Sequence, residues 1–325
     1  MSTLPEDDQT PQPANTGAES LAYTSPASEA IVPVNTAPVA SETLLFENWE
    51  QPLFHPPARV PHLGHCLLLA AIAALGLLLA GLAVALALHF HLYGVSTRAE
   101  VVLNIYYNLG SEAILYLTTL GISLVVFPLL WQRSLFSGLQ WNGATAYRLR
   151  WPLLSAAILC LTLAIISSSL LPGPKDAPID KIFRSPGAPW LMFAFGTTLA
   201  PFFEEFFFRG FFLPALCTAF DWIGEHVRNV DPPPLDEHHH PQWSLGAMIA
   251  GSLCTSVPFA AIHLAQTAYS IGPFFLLIGV SLVLCAARLW ARSLAASVLV
   301  HAAYNFILFS IMLLGTSGFT HLDKL

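Results

Sequence analysis

From residue 66 onward this chain is a succession of apolar runs about as long as a bilayer is thick, which leaves few folds open to it. A helix needs about 20 apolar residues, at 1.5 Å each, to cross a hydrocarbon core of roughly 30 Å. Runs of that kind fall at 66–90, 112–132, 151–171, 188–220, 244–264, 269–289 and 294–315. Only 10% of the 325 residues are charged, against roughly 25% in soluble domains, so the runs are expected in lipid. The expected fold is all-α, a polytopic transmembrane helix bundle of about seven or eight spans. The count depends on 188–220, which is too long for one ordinary crossing and reads either as one long tilted helix or as two pieces broken near Pro201.

Residues 1–60 have a different composition. They are rich in Pro, Ser, Thr and Ala, and residues 1–58 carry eight acids and no Lys or Arg. Such a segment buries too little apolar surface to offset its ordering entropy, so a disordered tail is expected. It lacks a basic n-region followed by an apolar h-region and a cleavage site, and is not read as a signal peptide. Beyond it stand 12 acidic and 13 basic residues, so the overall net charge of −7 belongs to the tail and implies no nucleic-acid partner. Three regions follow: the tail at 1–60, N-terminal transmembrane helices at 61–180, and a C-terminal helical core at 181–325.

The loop 133–150 has Arg133, Arg148 and Arg150 and no acid, which marks it as cytoplasmic. Arg59, Arg228, Arg288 and Arg292 then share its side, opposite Arg98, Lys175, Lys181, Arg184 and Lys324, and the N-terminus is inside. Trp131, Trp151, Trp190, Trp243 and Trp290 fall near span ends, where their rings suit the headgroup zone. Cys66, Cys160, Cys217, Cys254 and Cys285 lie in or beside apolar runs, with no short spacing that suggests a metal or redox pair, and read as small core residues. The chain is expected as a multi-pass integral membrane protein, in a bacterial inner membrane ahead of a eukaryotic organelle. No fixed-period or inverted repeat is found, which argues against a transporter.

Within the spans, the ionisable residues reduce to Glu204, Glu205, Arg209, His263 and His301. A charge at bilayer depth costs at least about 2.5 to 3.5 kcal/mol. Five such residues on three helices are less costly together than apart, so they are expected to meet. Glu205 and Arg209 are four apart with the acid first, the favourable order for an ion pair on one helix face. Glu204 is turned by about 100° and stays free of that arginine. His301 and Asn305 share a face at the same spacing, as do Phe259 and His263. Pro201 and Pro258 stand just before two of these groups, where a kink frees a carbonyl and admits polar contacts.

The series Glu-Glu, three residues and Arg, then Phe, three residues and His, then His, three residues and Asn, resembles the three motifs of the CAAX-protease and bacteriocin-processing (CPBP, Abi) family of intramembrane proteases. The resemblance spans about 188–310, including Gly210 after the arginine. It implies hydrolysis of a peptide bond in a membrane-associated peptide or protein, with the lipid bilayer as the setting. In that reading Glu204 activates a water that His263 helps to hold, Glu205 and Arg209 support the site, and His301 and Asn305 donate to the oxyanion. The family has also been described as metalloproteases, and Glu204, His263 and His301 would form a permissible zinc set with one position open for water. No His-Glu-x-x-His motif is present, and the expectation is a glutamate mechanism without a cofactor.

Plainer roles stand beside these. The glutamates could serve a structural ion pair with Arg209, the histidines could be core residues bonded to carbonyls, Asn305 could link two helices, and Phe259 reads as packing. A scaffold or immunity protein of the same fold, or a proton-coupled transporter, are the rival functions. His238, His239 and His240 lie in a proline-rich loop and read as a solvated tract; His89 and His91 read as interfacial. One conflict follows from the spans. Helices 244–264 and 294–315 should run parallel, yet His263 lies near the end of one and His301 near the start of the other, a difference in height of roughly 20 Å.

Overall fold

The computed structural model describes residues 59–171, 183 and 187–319. The acidic tail to residue 58 and Lys175, Lys181, Arg184 and Lys324 lie outside the described residues. Helices and connecting turns account for these residues, with no strand among them. The helices are α1 (Leu63–His89), α2 (Arg98–Leu103), α3 (Ile105–Trp131), α4 (Leu135–Gly138), α5 (Gly143–Arg148) and α6 (Arg150–Leu170). They continue with α7 (Ala188–Thr197), α8 (Leu199–Glu205), α9 (Leu213–Arg228), α10 (Leu245–Ala261), α11 (Ile271–Ala291) and α12 (Leu294–Gly315). A π-helical stretch, Phe206–Phe212, joins α8 to α9.

Among the described residues, six segments are long and apolar enough to cross a membrane: α1, α3, α6, the run Ala188–Arg228, α11 and α12. α10 is apolar but shorter, at 17 residues. Their outer faces carry exposed leucines such as Leu67, Leu78 and Leu129, an arrangement that makes sense only where the solvent is itself apolar. Inside, small residues let helices approach closely. A Cβ on Gly76 of α1 would stand 3.0 Å from the Leu115 carbonyl oxygen on α3, and one on Gly251 of α10 would stand 2.8 Å from Cys217 Sγ on α9. Without hydrophobic drive between helices in lipid, such close packing supplies the association.

The long run 188–228 breaks at Thr198, whose φ of −124° and ψ of −76° leave the helical region. The expected break at Pro201 thus falls three residues earlier. Pro201 occupies the first turn of α8, where its missing N–H has no intrahelical partner to lose, so it starts a helix without kinking one. Pro258 does sit inside α10, which ends three residues later at Ala261. The π-helical stretch lies between two cores. Phe208 packs with Phe259, Leu284 and Val300, whereas Phe206 and Phe211 pack with Leu69, Phe127 and Leu139.

The conflict in height resolves through where α10 and α12 begin. Ser244, the cap of α10, is held by Asp221, its hydroxyl donating at 2.6 Å and its amide at 3.0 Å. Leu294, the first residue of α12, instead packs on Gly210, its Cδ2 3.3 Å from where a Cβ would lie. Asp221 and Gly210 are separated by about 16 Å along one helical rod. α12 therefore starts deep in the bundle, which nearly cancels the difference expected from sequence.

A polar seam fixes that deep start. Leu294 N donates to Gln140 O at 3.0 Å, and Ser293 Oγ donates to Asn142 O at 2.9 Å. Beneath it lies Arg288 of α11, buried and without a carboxylate, donating to the Arg209 carbonyl at 3.2 Å, Gln140 Oε1 at 2.9 Å and the Leu139 carbonyl at 3.3 Å. Arg288, left out of the intramembrane set as a span-end cation, is thus buried. Two assignments change. Trp131 is buried and donates its indole N–H to His65 Nε2 at 3.0 Å, and Cys254 is exposed rather than in the core. The His238–His240 tract is organised around Asp236, which accepts from the His238 and His240 amides and pairs with Arg292 at 2.7 Å.

Candidate active site

Three short patterns bring five side chains to one place. α8 continues without interruption into the π-helical stretch, so Glu205 and Arg209 remain one turn apart, and Arg209 Nη1 donates to Glu205 Oε1 at 3.0 Å. Both side chains are fully buried. The other arm of the guanidinium donates to Ser281 on α11, to the hydroxyl at 2.7 Å and the carbonyl at 3.1 Å. Phe259 covers its face, with the guanidinium carbon 4.4 Å from the ring centroid. Wider winding in a π stretch leaves carbonyls outside the regular ladder, and the Arg209 carbonyl is the one Arg288 takes.

Glu205 has a second partner. His301 Nδ1 donates to the same Oε1 at 3.0 Å. With Glu205 Oε1 as the shared acceptor, the proton of this contact is assigned to Nδ1, which leaves the Nε2 lone pair facing the other way. His263 lies two residues beyond the end of α10, in the turn that follows, and its Nδ1 meets the Phe259 carbonyl at 2.8 Å. A carbonyl can only accept, so His263 also presents a bare Nε2.

Both lone pairs point to Glu204. His263 Nε2 is 3.8 Å and His301 Nε2 3.9 Å from Glu204 Oε2, an oxygen that is buried and has no hydrogen-bond partner. Three acceptors thus face one another with no donor between them, each imidazole farther from the carboxylate than a direct hydrogen bond. Zinc bonds of 2.0–2.1 Å put tetrahedral ligands about 3.4 Å apart, and a tetrahedral water bonded at about 2.8 Å puts its acceptors about 4.6 Å apart; the observed 3.8 and 3.9 Å lie between the two. No group of three His, Cys, Asp or Glu side chains among the described residues is gathered to hold a metal ion.

Asn305, one turn beyond His301, sits apart from this cluster. Its amide donates to the Gly196 carbonyl at 2.7 Å, tying α12 to α7. That bond uses one of the two amide N–H groups and leaves the second for another acceptor.

Glu112 was missed from sequence. It lies on α3 within electrostatic reach of Glu204, and Tyr116, one turn on, stacks on Phe203 with centroids 4.4 Å apart. A span drawn from residue 112 makes this acid a terminal residue, but α3 starts at Ile105 and places it two turns into the helix, half-buried. The signal was Asn104, whose side chain caps the helix by accepting from the Tyr106 and Tyr107 amides.

Residues 186–307 match the family model described as "Type II CAAX prenyl endopeptidase Rce1-like". The match takes in Glu204, Glu205, Arg209, His263, His301 and Asn305, and leaves out Glu112. Comparison with curated proteins and with solved structures gives no match.

Proposed function

We propose that this protein, whose residues 186–307 match the Rce1-like family model, hydrolyses a peptide bond of a membrane-associated protein or peptide with a water activated by Glu204. The observation that carries the proposal is the convergence of Glu204 Oε2 with the Nε2 atoms of His263 and His301, at 3.8 and 3.9 Å. A water there donates one proton to Glu204 and its second to an imidazole lone pair, which aims an oxygen lone pair into the cavity. Glu204 takes the first proton as that oxygen attacks the scissile carbonyl. It then passes the proton to the departing amine. A carboxylate serves as base here because few competing donors solvate it.

Glu205 and Arg209 act through His301. A carboxylate on Nδ1 fixes the ring's tautomer and orientation, and it stabilises an imidazolium when Nε2 gains a proton. In that state Nε2–H becomes a donor for the oxyanion, and a preorganised donor in a site shielded from bulk water stabilises such charge strongly. Asn305 joins as a second donor through the amide N–H that the Gly196 carbonyl leaves unused. Water held by protein side chains alone, without zinc, is the mechanism proposed. Glu204 Oε2, buried and without a hydrogen-bond partner, supports it as the base.

The test is purified protein in proteoliposomes with a lipid-anchored reporter peptide. Cleavage that survives a zinc chelator and is lost in Glu204→Gln supports the glutamate mechanism. Cleavage abolished by chelator and restored by zinc overturns the metal-free step while keeping the protease. No cleavage of any membrane peptide by the folded wild type leaves a scaffold of this fold as the better reading.

A further inference from the structure

The chain carries a second candidate site at the opposite end of α1 from its cap at His62, and the case for it does not depend on proteolysis. α1 ends at His89, and the chain turns through Leu92–Gly94 and returns as the short helix α2. Between the last turns of α1 and α2 lies a groove of about 480 Å³, lined by Gly81, Val84, Ala85, Leu88 and Val101 together with His89 and Arg98. That volume is within the range of roughly 300–1,000 Å³ that holds small amphiphiles.

Its surroundings show which solvent it opens to. Leu82 and Leu86, on the same part of α1, are exposed, as befits a surface in contact with acyl chains. Beyond His89 stand the exposed rings of Phe90, Tyr93 and Tyr106, the last two stacked with centroids 4.7 Å apart. Clustered aromatic rings beside a long apolar helix mark the headgroup level. The groove therefore has its floor in the hydrocarbon and its polar end at the interface.

Arg98 is the informative residue. It makes no hydrogen bond or ion pair among the described residues, and the acid near it, Glu100, is engaged elsewhere. Glu100 Oε2 accepts from Ser96 N at 2.8 Å, Ser96 Oγ at 3.3 Å and Thr97 N at 3.3 Å, as the return half of the α2 capping box. A free guanidinium and an imidazole thus close an apolar trough that faces lipid.

We propose that this groove binds one anionic phospholipid, with an acyl chain along Gly81–Leu88 and its phosphate against Arg98 and His89. The chemistry selects that occupant. A free anion would leave the apolar floor uncovered, and a lipid with no net negative charge would leave the charge of Arg98 unmatched. Each basic residue at such a level strengthens attraction to anionic lipid by roughly five-fold.

The experiment uses full-length protein taken from nanodiscs of equal phosphatidylcholine and phosphatidylglycerol, with the retained lipid read by native mass spectrometry. Wild type is expected to retain phosphatidylglycerol in preference to phosphatidylcholine. Arg98→Gln should reduce the retained phosphatidylglycerol roughly five-fold, and Arg98→Gln with His89→Gln further. Val84→Trp, which fills the trough, should remove both lipids while the melting temperature stays near wild type. Equal retention of phosphatidylglycerol by wild type and Arg98→Gln overturns the proposal. So does displacement of the lipid by excess inorganic phosphate, which would make the site one for a free anion.

Discussion

Replacing Arg209 with Met tests whether the ion pair beneath the candidate site holds the bundle together. Arg209 and Glu205 are both fully buried, and the guanidinium makes three hydrogen bonds, one to Glu205 and two to Ser281. Met keeps the volume but leaves Glu205 as a buried carboxylate with only His301 to balance it, and leaves the Ser281 hydroxyl and carbonyl without their donor. Removing one partner of a buried pair costs about 3 to 5 kcal/mol, whereas replacing both partners with neutral groups is often close to neutral. Arg209→Met should therefore lower the melting temperature in mild detergent by about 10 °C. The double variant with Glu205→Gln should recover at least about 2 kcal/mol of the loss, since Gln can still accept from His301. A single variant within about 1 kcal/mol of wild type, or a double variant no better than the single one, would refute the account of this pair.

His301→Asn and His301→Ala should separate support from chemistry. Asn keeps a donor near the Nδ1 position and should stay within about 1 kcal/mol of wild type, while Ala strips Glu205 of its partner and should cost about 1 to 3 kcal/mol; neither should cleave. Gly251→Ala should lose stability by about 1 to 3 kcal/mol, because the new Cβ would stand 2.8 Å from Cys217 Sγ, and Cys217→Ala in the same chain should restore part of the loss in thermal melts. The loop around Asp236 should open in acid. Burial alone would raise this carboxyl, but the His240 and His238 amides, His240 and Arg292 outweigh it and hold the group below its ordinary value of 3.8. A depressed folded value means the contribution is complete above the ordinary value and lost as pH falls through the folded one. Hydrogen exchange of residues 230–243 should show protection at neutral pH that falls only in acid, and Asp236→Asn should abolish that dependence.

The spans and the pairing of Glu205 with Arg209 were legible in the sequence, because hydropathy and four-residue spacing are local properties of a helix. Depth was not. Nothing in 294–315 says that α12 starts at the level of Gly210, since that depends on Gln140 and Asn142 holding Leu294 and Ser293 from a distant loop. The burial of Arg288 was hidden for the same reason, as the acceptors that hold this span-end cation, Gln140 and the Leu139 carbonyl, come from a distant loop. The break at Thr198 carries no breaker residue, whereas Pro201, which looks like one, begins a helix. Asn305 had the right spacing to share a face with His301, but spacing leaves open that the Gly196 carbonyl takes one of its amide N–H groups.

The central claim is that Glu204 activates water for peptide hydrolysis, and new protein termini test it most directly. Membranes from cells making wild type or Glu204→Gln at matched levels would be compared by mass spectrometry of peptide termini. The account predicts a set of internal termini, in or beside membrane segments, that appears only with wild type while the variant keeps its melting temperature. Identical termini in the two, with the variant folded, would contradict it.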